Sequence, residues 1–264
     1  MSKLKNLVID QIPLNMMMSN PKINNSLLRE LGRRHVRMAR VAIAVFPGSN
    51  CERDVQNVLD QVFDFKPELV WHTKSDLSNY DAVIIPGGFS YGDRLRAGSI
   101  AAHSPIITEI KRLAKRNVPI LGICNGFQIL VEAGLLPGAL AVNNSLKFIC
   151  KWVRVKVVNR DTPFTWKYRE GDIFNIPVAH GEGRYFADAD TINRMKSKNQ
   201  IVVVYSGENP NGSVEAVAGI CNEHGNVVGI MPHPERGSES ILSPVGLRNS
   251  FGFFDSLRAY CRSH

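Results

Sequence analysis

From Val41 onward, short apolar runs alternate with stretches whose apolar residues recur every three or four positions. Few folds accept that pattern. A strand that is apolar throughout must be covered on both faces, and a helix between two such strands returns the chain so that they lie parallel. VAIAVF (Val41–Phe46) reads as a buried strand, and Val55, Val58, Leu59 and Val62 mark one face of a following helix. Strands are expected near Leu69–Trp71 and at Ala82–Ile85, the second ending in Pro86, Gly87 and Gly88. Ile106, Ile107, Ile110 and Leu113 form another helical stripe, and Val118–Ile123 is the next buried strand. Beyond Gly134, Val153, Val155 and Val157 alternate with Arg154 and Lys156, the period of a half-exposed strand. Further strands are expected near Ile173–Val178, Ile201–Tyr205, Val214–Ile220 and Val227–Ile230, with a C-terminal helix near Leu247–Tyr260. The expected fold is therefore α/β, a three-layer sandwich around a mostly parallel central sheet.

No stretch approaches the roughly 20 apolar residues needed to span a bilayer, and the first residues lack the order of a secretory signal. A soluble, cytoplasmic protein is expected. Five cysteines, odd in number, scattered and without a CxxC pair, fit reduced thiols better than zinc or dithiol chemistry. The net charge of +8 is unevenly spread. Residues 1–38 hold seven Lys and Arg against Asp10 and Glu30, a net +5 that leaves only +3 for the rest. A broad nucleic-acid-binding face is not indicated. That segment reads as a basic N-terminal extension outside a domain spanning 39–264, and a start at Met38 would remove it without touching the core. Its Arg-containing, acid-poor composition also admits an organelle-targeting role, but no amphipathic pattern supports one.

PILGICNGFQIL (Pro119–Leu130) carries the chemistry. A buried strand runs into Cys124, a helix begins at once, and Gly122 and Gly126 stand two residues to either side. This G-x-C-x-G spacing is the thiol version of a nucleophile elbow, where glycines relieve crowding in a strained strand-to-helix turn. The helix N-terminus favours a thiolate, and its free N–H groups, notably that of Asn125, can hold an oxyanion. Gln128 lies one helical turn on, facing the same way. Taken alone, the motif is balanced between a reactive thiol and a small buried hydrophobe. The balance shifts with GIMPHPER (Gly229–Arg236), where prolines at 232 and 234 hold His233 and Glu235 in extended chain on one side. Cysteine, histidine and an orienting carboxylate are what nucleophilic acyl transfer needs. Cys51 follows the first strand with no second His–acid pair beside it in sequence, so no catalytic role is expected for it.

With these residues in view, GICNGFQ and MPHPE resemble the class I (triad) glutamine amidotransferase family. FPGSNCERD (Phe46–Asp54), PGGFSYGDRLRAG (Pro86–Gly98) and AHGEGRY (Ala179–Tyr185) are similar to the glutaminase subunits of phosphoribosylformylglycinamidine synthases. The resemblance runs from about Ala39 to the C-terminal helix and implies a flavodoxin-like fold. It implies Cys124 as nucleophile, His233 as general base and acid, Glu235 as orienter, and an oxyanion hole from the backbone N–H groups of Gly88 and Asn125. Gln128, Phe89, Asn144, Ser145 and His180 are the implied glutamine-side contacts. For His180 a purely structural loop role stays open beside a site or partner contact, and the Asn143-Asn144-Ser145 run also reads as an ordinary turn. Arg94 and Arg96 are candidates for an acidic partner surface.

No metal or organic cofactor is expected in this chain. It carries no GxxxxGK[ST] phosphate loop, so ATP and magnesium are expected in a separate synthetase subunit, commonly joined by a small third subunit. Two rival readings stand: a triad amidotransferase feeding another acceptor, and a non-catalytic protein using Cys124 as a redox sensor.

Overall fold

A computed structural model describes residues 38–244 and 250–263. Expectations for residues 1–37, and for the start of the last helix at Leu247, lie outside the described residues. The strands are β1 (Arg40–Val45), β2 (Lys66–Trp71), β3 (Ala82–Ile85), β4 (Ile120–Ile123), β5 (Ala139–Ala141), β6 (Ile149–Val157), β7 (Ile173–His180), β8 (Arg184–Phe186), β9 (Ile201–Tyr205), β10 (Val217–Cys221) and β11 (Val227–Ile230). The α-helices are α1 (Glu52–Asn57), α2 (Pro105–Ala114), α3 (Asn125–Glu132), α4 (Ala189–Ser197) and α5 (Gly252–Ser263).

Nine strands form one sheet in the order β2-β1-β3-β4-β11-β10-β9-β6-β7, and β5 pairs with β8 in a separate ribbon. The strands from β2 to β11 in that order are parallel, while β11-β10, β10-β9, β9-β6 and β6-β7 pair antiparallel. The sheet is thus mixed, with its parallel half placed as the sequence suggests. Every residue of β3, β4 and β11 is buried, which requires cover on both faces and accounts for their uninterrupted apolar sequence. β6 alternates instead, with Val153, Val155 and Val157 inward.

α2 presents Ile106, Ile107, Ile110 and Leu113 as one buried stripe, beginning with Pro105 where a missing N–H costs nothing. Each such side chain contributes roughly 1.5–3 kcal/mol on burial. The expected stripe Val55–Val62 divides between α1 and a π-helical turn at Val58–Val62. Residues 214–216, expected as strand, are a 3-10 turn leading into β10. β5, β8 and α4 carry no clear sequence signal of their own. α4 buries only Ile192 and Met195, too little periodicity to see, and its one mark is Asp188, whose side chain accepts from Thr191 N at 2.7 Å. Among the described residues, no helix is long and apolar enough to cross a membrane.

Candidate active site

β3, β4 and β11 are adjacent and parallel, so whatever follows them meets at their carboxyl ends. Gly87 and Gly88 follow β3, Cys124 follows β4, and His233 and Glu235 follow β11. The register pairs Ile123 with Ile230, and Cys124 N donates to Ile230 O at 2.8 Å.

Cys124 sits at φ 50°, ψ −105°, a conformation strained for any residue with a side chain. The flanking glycines are there for space. A Cβ on Gly126 would lie 2.0 Å from Ile85 O, and one on Gly122 would lie 2.6 Å from Gly126 O. The turn therefore packs the start of α3 directly onto β3, which holds the thiol in place. Cys124 is 6% exposed, and its Sγ lies 3.7 Å from Ala179 O at the end of β7.

The buried His233 ring is fixed by Glu235, whose Oε1 lies 2.6 Å from Nδ1. Burial opposes charge on this imidazole more than any one neighbour favours it, but Glu235, Cys124 and Cys51 together outweigh burial and hold the group well above its ordinary value. Nε2 makes no hydrogen bond of normal geometry, yet both thiols stand close enough to stabilise its charged form. Gly87 is the shared floor: a Cβ there would lie 2.8 Å from His233 Cε1, 3.0 Å from Cys51 Sγ and 3.5 Å from Cys124 Cβ. Cys51, separated from any His–acid pair in sequence, is brought by the fold to the same pair as Cys124. Its only sequence signal is its place just after a buried strand.

Gly88 and Asn125, the backbone donors that the resemblance implies, stand at the ends of β3 and β4. Asn125 is the first residue of α3, so its N–H has no intrahelical acceptor. The bridge between Ser49 and Gly88 runs through Phe89 N to Gly48 O and Asn50 N to Gly87 O, leaving the Gly88 N–H outside it. A Cβ on Gly88 would lie 2.8 Å from Gly48 O, so only glycine lets these loops close together.

The Asn125 side chain is buried, accepting from Ser90 N at 3.1 Å and donating to Gln128 Oε1 at 2.9 Å. Gln128 donates in turn to Glu182 O at 2.7 Å, so its amide braces the walls of the site at both ends. Asp93, near Asn125 and half-buried, is pushed up to about 6 by burial and by the charge of Glu182.

His180 is buried beside the site, and its tautomer can be assigned from its neighbours. Asn143 Nδ2 donates to His180 O and Lys147 O, so Asn143 Oδ1 is the acceptor for Gly183 N and for His180 Nδ1–H. Burial and the charge of His233 push His180 down to about 4, so it is neutral at pH 7. Asn143 thus organises this wall, while Asn144 and Ser145 lie exposed on the loop beyond it. Phe89 is exposed at the rim, its ring 6.5 Å from that of Phe148. Arg94 is exposed, and Arg96 pairs with Glu132 at 2.5 Å.

The chain matches the CobB/CobQ-like glutamine amidotransferase domain family over residues 38–261. It is 45% identical to a chain in the structure of PurLQS from Thermotoga maritima, with a TM-score of 0.76, the match covering 84% of this chain and 99% of that one. The same fold recurs at 14% identity in a putative GMP synthase protein from Thermoplasma acidophilum, with a TM-score of 0.60 over 87% of this chain and 96% of that one. It recurs also in the glutaminase domain of Trypanosoma brucei CTPS with bound acivicin, at 14% identity and a TM-score of 0.52, over 86% and 94% of the two chains. The α/β fold and the class I amidotransferase resemblance are both borne out: this chain belongs to the CobB/CobQ-like glutamine amidotransferase family.

Proposed function

We propose that the chain is the glutaminase subunit of a phosphoribosylformylglycinamidine synthase, releasing ammonia from glutamine for use by a separate synthetase subunit. The observation that carries this reading is the convergence of Gly87-Gly88, Cys124 and His233–Glu235 at the ends of three adjacent parallel strands. The 45% identity to the PurLQS chain supports the choice of acceptor.

In the proposed reaction His233 takes the Cys124 proton and sulfur attacks the side-chain amide carbon of glutamine. The N–H groups of Gly88 and Asn125 hold the oxyanion. His233 returns the proton to the departing nitrogen, ammonia leaves, and a γ-glutamyl thioester remains. His233 then deprotonates a water that attacks the thioester, and glutamate is released. Glu235 keeps the imidazole oriented through the 2.6 Å contact at Nδ1. Phe89, Asn144 and Ser145 are placed by this reading at the substrate entrance, with His180 behind it. Gln128 would reach glutamine by exchanging one of its two bracing bonds. Every step uses side chains and backbone of this chain. ATP and magnesium belong to the synthetase, with a small third subunit completing the complex. Residues 1–38 are placed outside the catalytic unit, so a chain beginning at Met38 is expected to keep its glutaminase activity.

Replacing Cys124 with Ala is expected to abolish ammonia release from glutamine while the circular dichroism spectrum is unchanged. A wild-type chain that releases none, even with synthetase and ATP present, would overturn the assignment.

A further inference from the structure

Two sets of contacts hold the turn that carries His233 and Glu235. One is local to its backbone: His233 N donates to Pro177 O at 2.8 Å, and the Ser238 and Ser250 hydroxyls donate to Pro234 O at 2.7 and 3.1 Å. The other is Arg236, the last residue of the 3-10 turn Pro234–Arg236. Its Nε donates to Asp54 Oδ2 at 3.1 Å and its Nη2 to Cys51 Sγ at 3.3 Å, across 182 and 185 positions of sequence. Cys51 is buried in the β1–α1 loop, and Asp54 stands in the first turn of α1.

That same loop holds the other side of the site. Asn50 N and Cys51 N donate to Gly87 O at 3.3 and 3.2 Å, and Phe89 N donates to Gly48 O at 2.9 Å. Cys51 Sγ also lies within 4.8 Å of a ring nitrogen of His233 and of a carboxylate oxygen of Glu235. The β1–α1 loop therefore touches both the glycines after β3 and the turn after β11, and Arg236 closes the link to the turn.

We infer that Arg236 is a positioning residue for the proposed glutaminase reaction: with Cys51 and Asp54 it ties the His233–Glu235 turn to the β1–α1 loop, and so sets where the imidazole stands relative to Cys124 and Gly88. The inference rests on the roles proposed above for His233 and Cys124. Arginine suits the task, because its planar fork reaches a carboxylate and a sulfur at once, where lysine offers a single point of charge. Burial works against its charge, but Cys51, Glu235 and Asp54 together raise its pKa above the ordinary value, so the fork stays charged. The side chains of Arg236 and Asp54 are 40% and 48% exposed, and a pair so placed adds little to global stability. What it controls is distance, and a misplacement of about 1 Å costs about a hundredfold in rate. The effect therefore belongs in the rate and not in the fold.

The test uses the full chain with Arg236→Gln, Arg236→Lys, Asp54→Asn and the double variant R236Q/D54N. Ammonia release is measured with synthetase and ATP present. Alkylation of Cys124 by iodoacetamide is followed separately by mass spectrometry, with no glutamine. Arg236→Gln is expected to lower kcat by about tenfold or more with KM within about twofold, while Tm moves by no more than about 3 °C. Cys124 should be alkylated more slowly in the same variant, because a displaced His233 draws off less of its proton. Arg236→Lys should recover part of kcat, and the double variant should lose no more than Arg236→Gln alone, since both changes break one link. The inference is overturned if folded Arg236→Gln keeps the parent kcat and alkylation rate, or if the losses of the two single variants multiply in the double. Should Arg236→Gln fail to fold, Asp54→Asn decides: a kcat lowered by about threefold supports the inference, and an unchanged one overturns it. A parent chain alkylated at Cys124 that releases no ammonia would instead overturn the glutaminase reading, and the alkylation comparison would still stand.

Discussion

Gly126 allows the elbow to be tested with one methyl group. A Cβ there would stand 2.0 Å from a backbone oxygen of β3, which cannot rotate away as a side-chain tip could. Gly126→Ala is expected to cost at least the roughly 1–3 kcal/mol of ordinary overpacking, read as a lowered denaturation midpoint. An unchanged midpoint would mean that α3 and β3 can move apart at little cost. His180 makes a prediction in pH. Its native value of about 4 lies below the ordinary histidine value, so between about pH 6.5 and 4 the unfolded chain binds a proton that the native one refuses. Stability from this group is therefore full above pH 6.5 and is lost as pH falls towards 4, by about 3 kcal/mol in all. Denaturation of the wild type and of His180→Asn at pH 7.5 and pH 4.5 should show a smaller acid loss in the variant. Equal losses would count against a neutral buried His180.

At the scale of elements, α3 carries the nucleophile and is held through Phe127. That ring stacks on Tyr185 with centroids 6.2 Å apart, and it fills the space over Gly229 of β11, where a Cβ would meet it at 2.1 Å. Phe127→Ala is expected to cost about 3–5 kcal/mol and to lower kcat more than it raises KM, because the freed helix start moves sulfur away from His233. Urea denaturation together with steady-state ammonia release measures both; a full loss of stability with unchanged kcat would show that α3 does not set the thiol's position. α4 offers a gentler case. Asp188→Ala removes its one side-chain cap, and fraying confined to residues 189–197 is expected by hydrogen exchange.

For the whole molecule, the loops beside the site expose large apolar side chains among their polar ones. Leu95 is 90% exposed and Leu146 is 81% exposed, on two loops joined at the rim by Phe89 and Phe148. Exposed patches of this kind mark association, and the proposed synthetase is expected to dock here. Leu95→Asp and Leu146→Asp are expected to weaken co-purification with the synthetase while leaving the Tm of the isolated chain unchanged. Equal co-purification would place the interface elsewhere. Much of this molecule was legible in sequence because the signals are local. Apolar runs mark the doubly covered strands, paired glycines mark the crowded elbow, and one short segment carries His233 and Glu235, although Glu235 lies in a 3-10 turn and not in the extended chain expected. The alternation of apolar runs and helical stripes also pointed to a largely parallel sheet, without giving the order of its strands. Tertiary structure alone decided what depends on which strands become neighbours. Placing β11 beside β4 brings a histidine 109 positions away onto Cys124, and the β1 loop brings Cys51 onto the same imidazole. Strand pairing is a long-range choice made by the whole core, and no spacing within one segment encodes it.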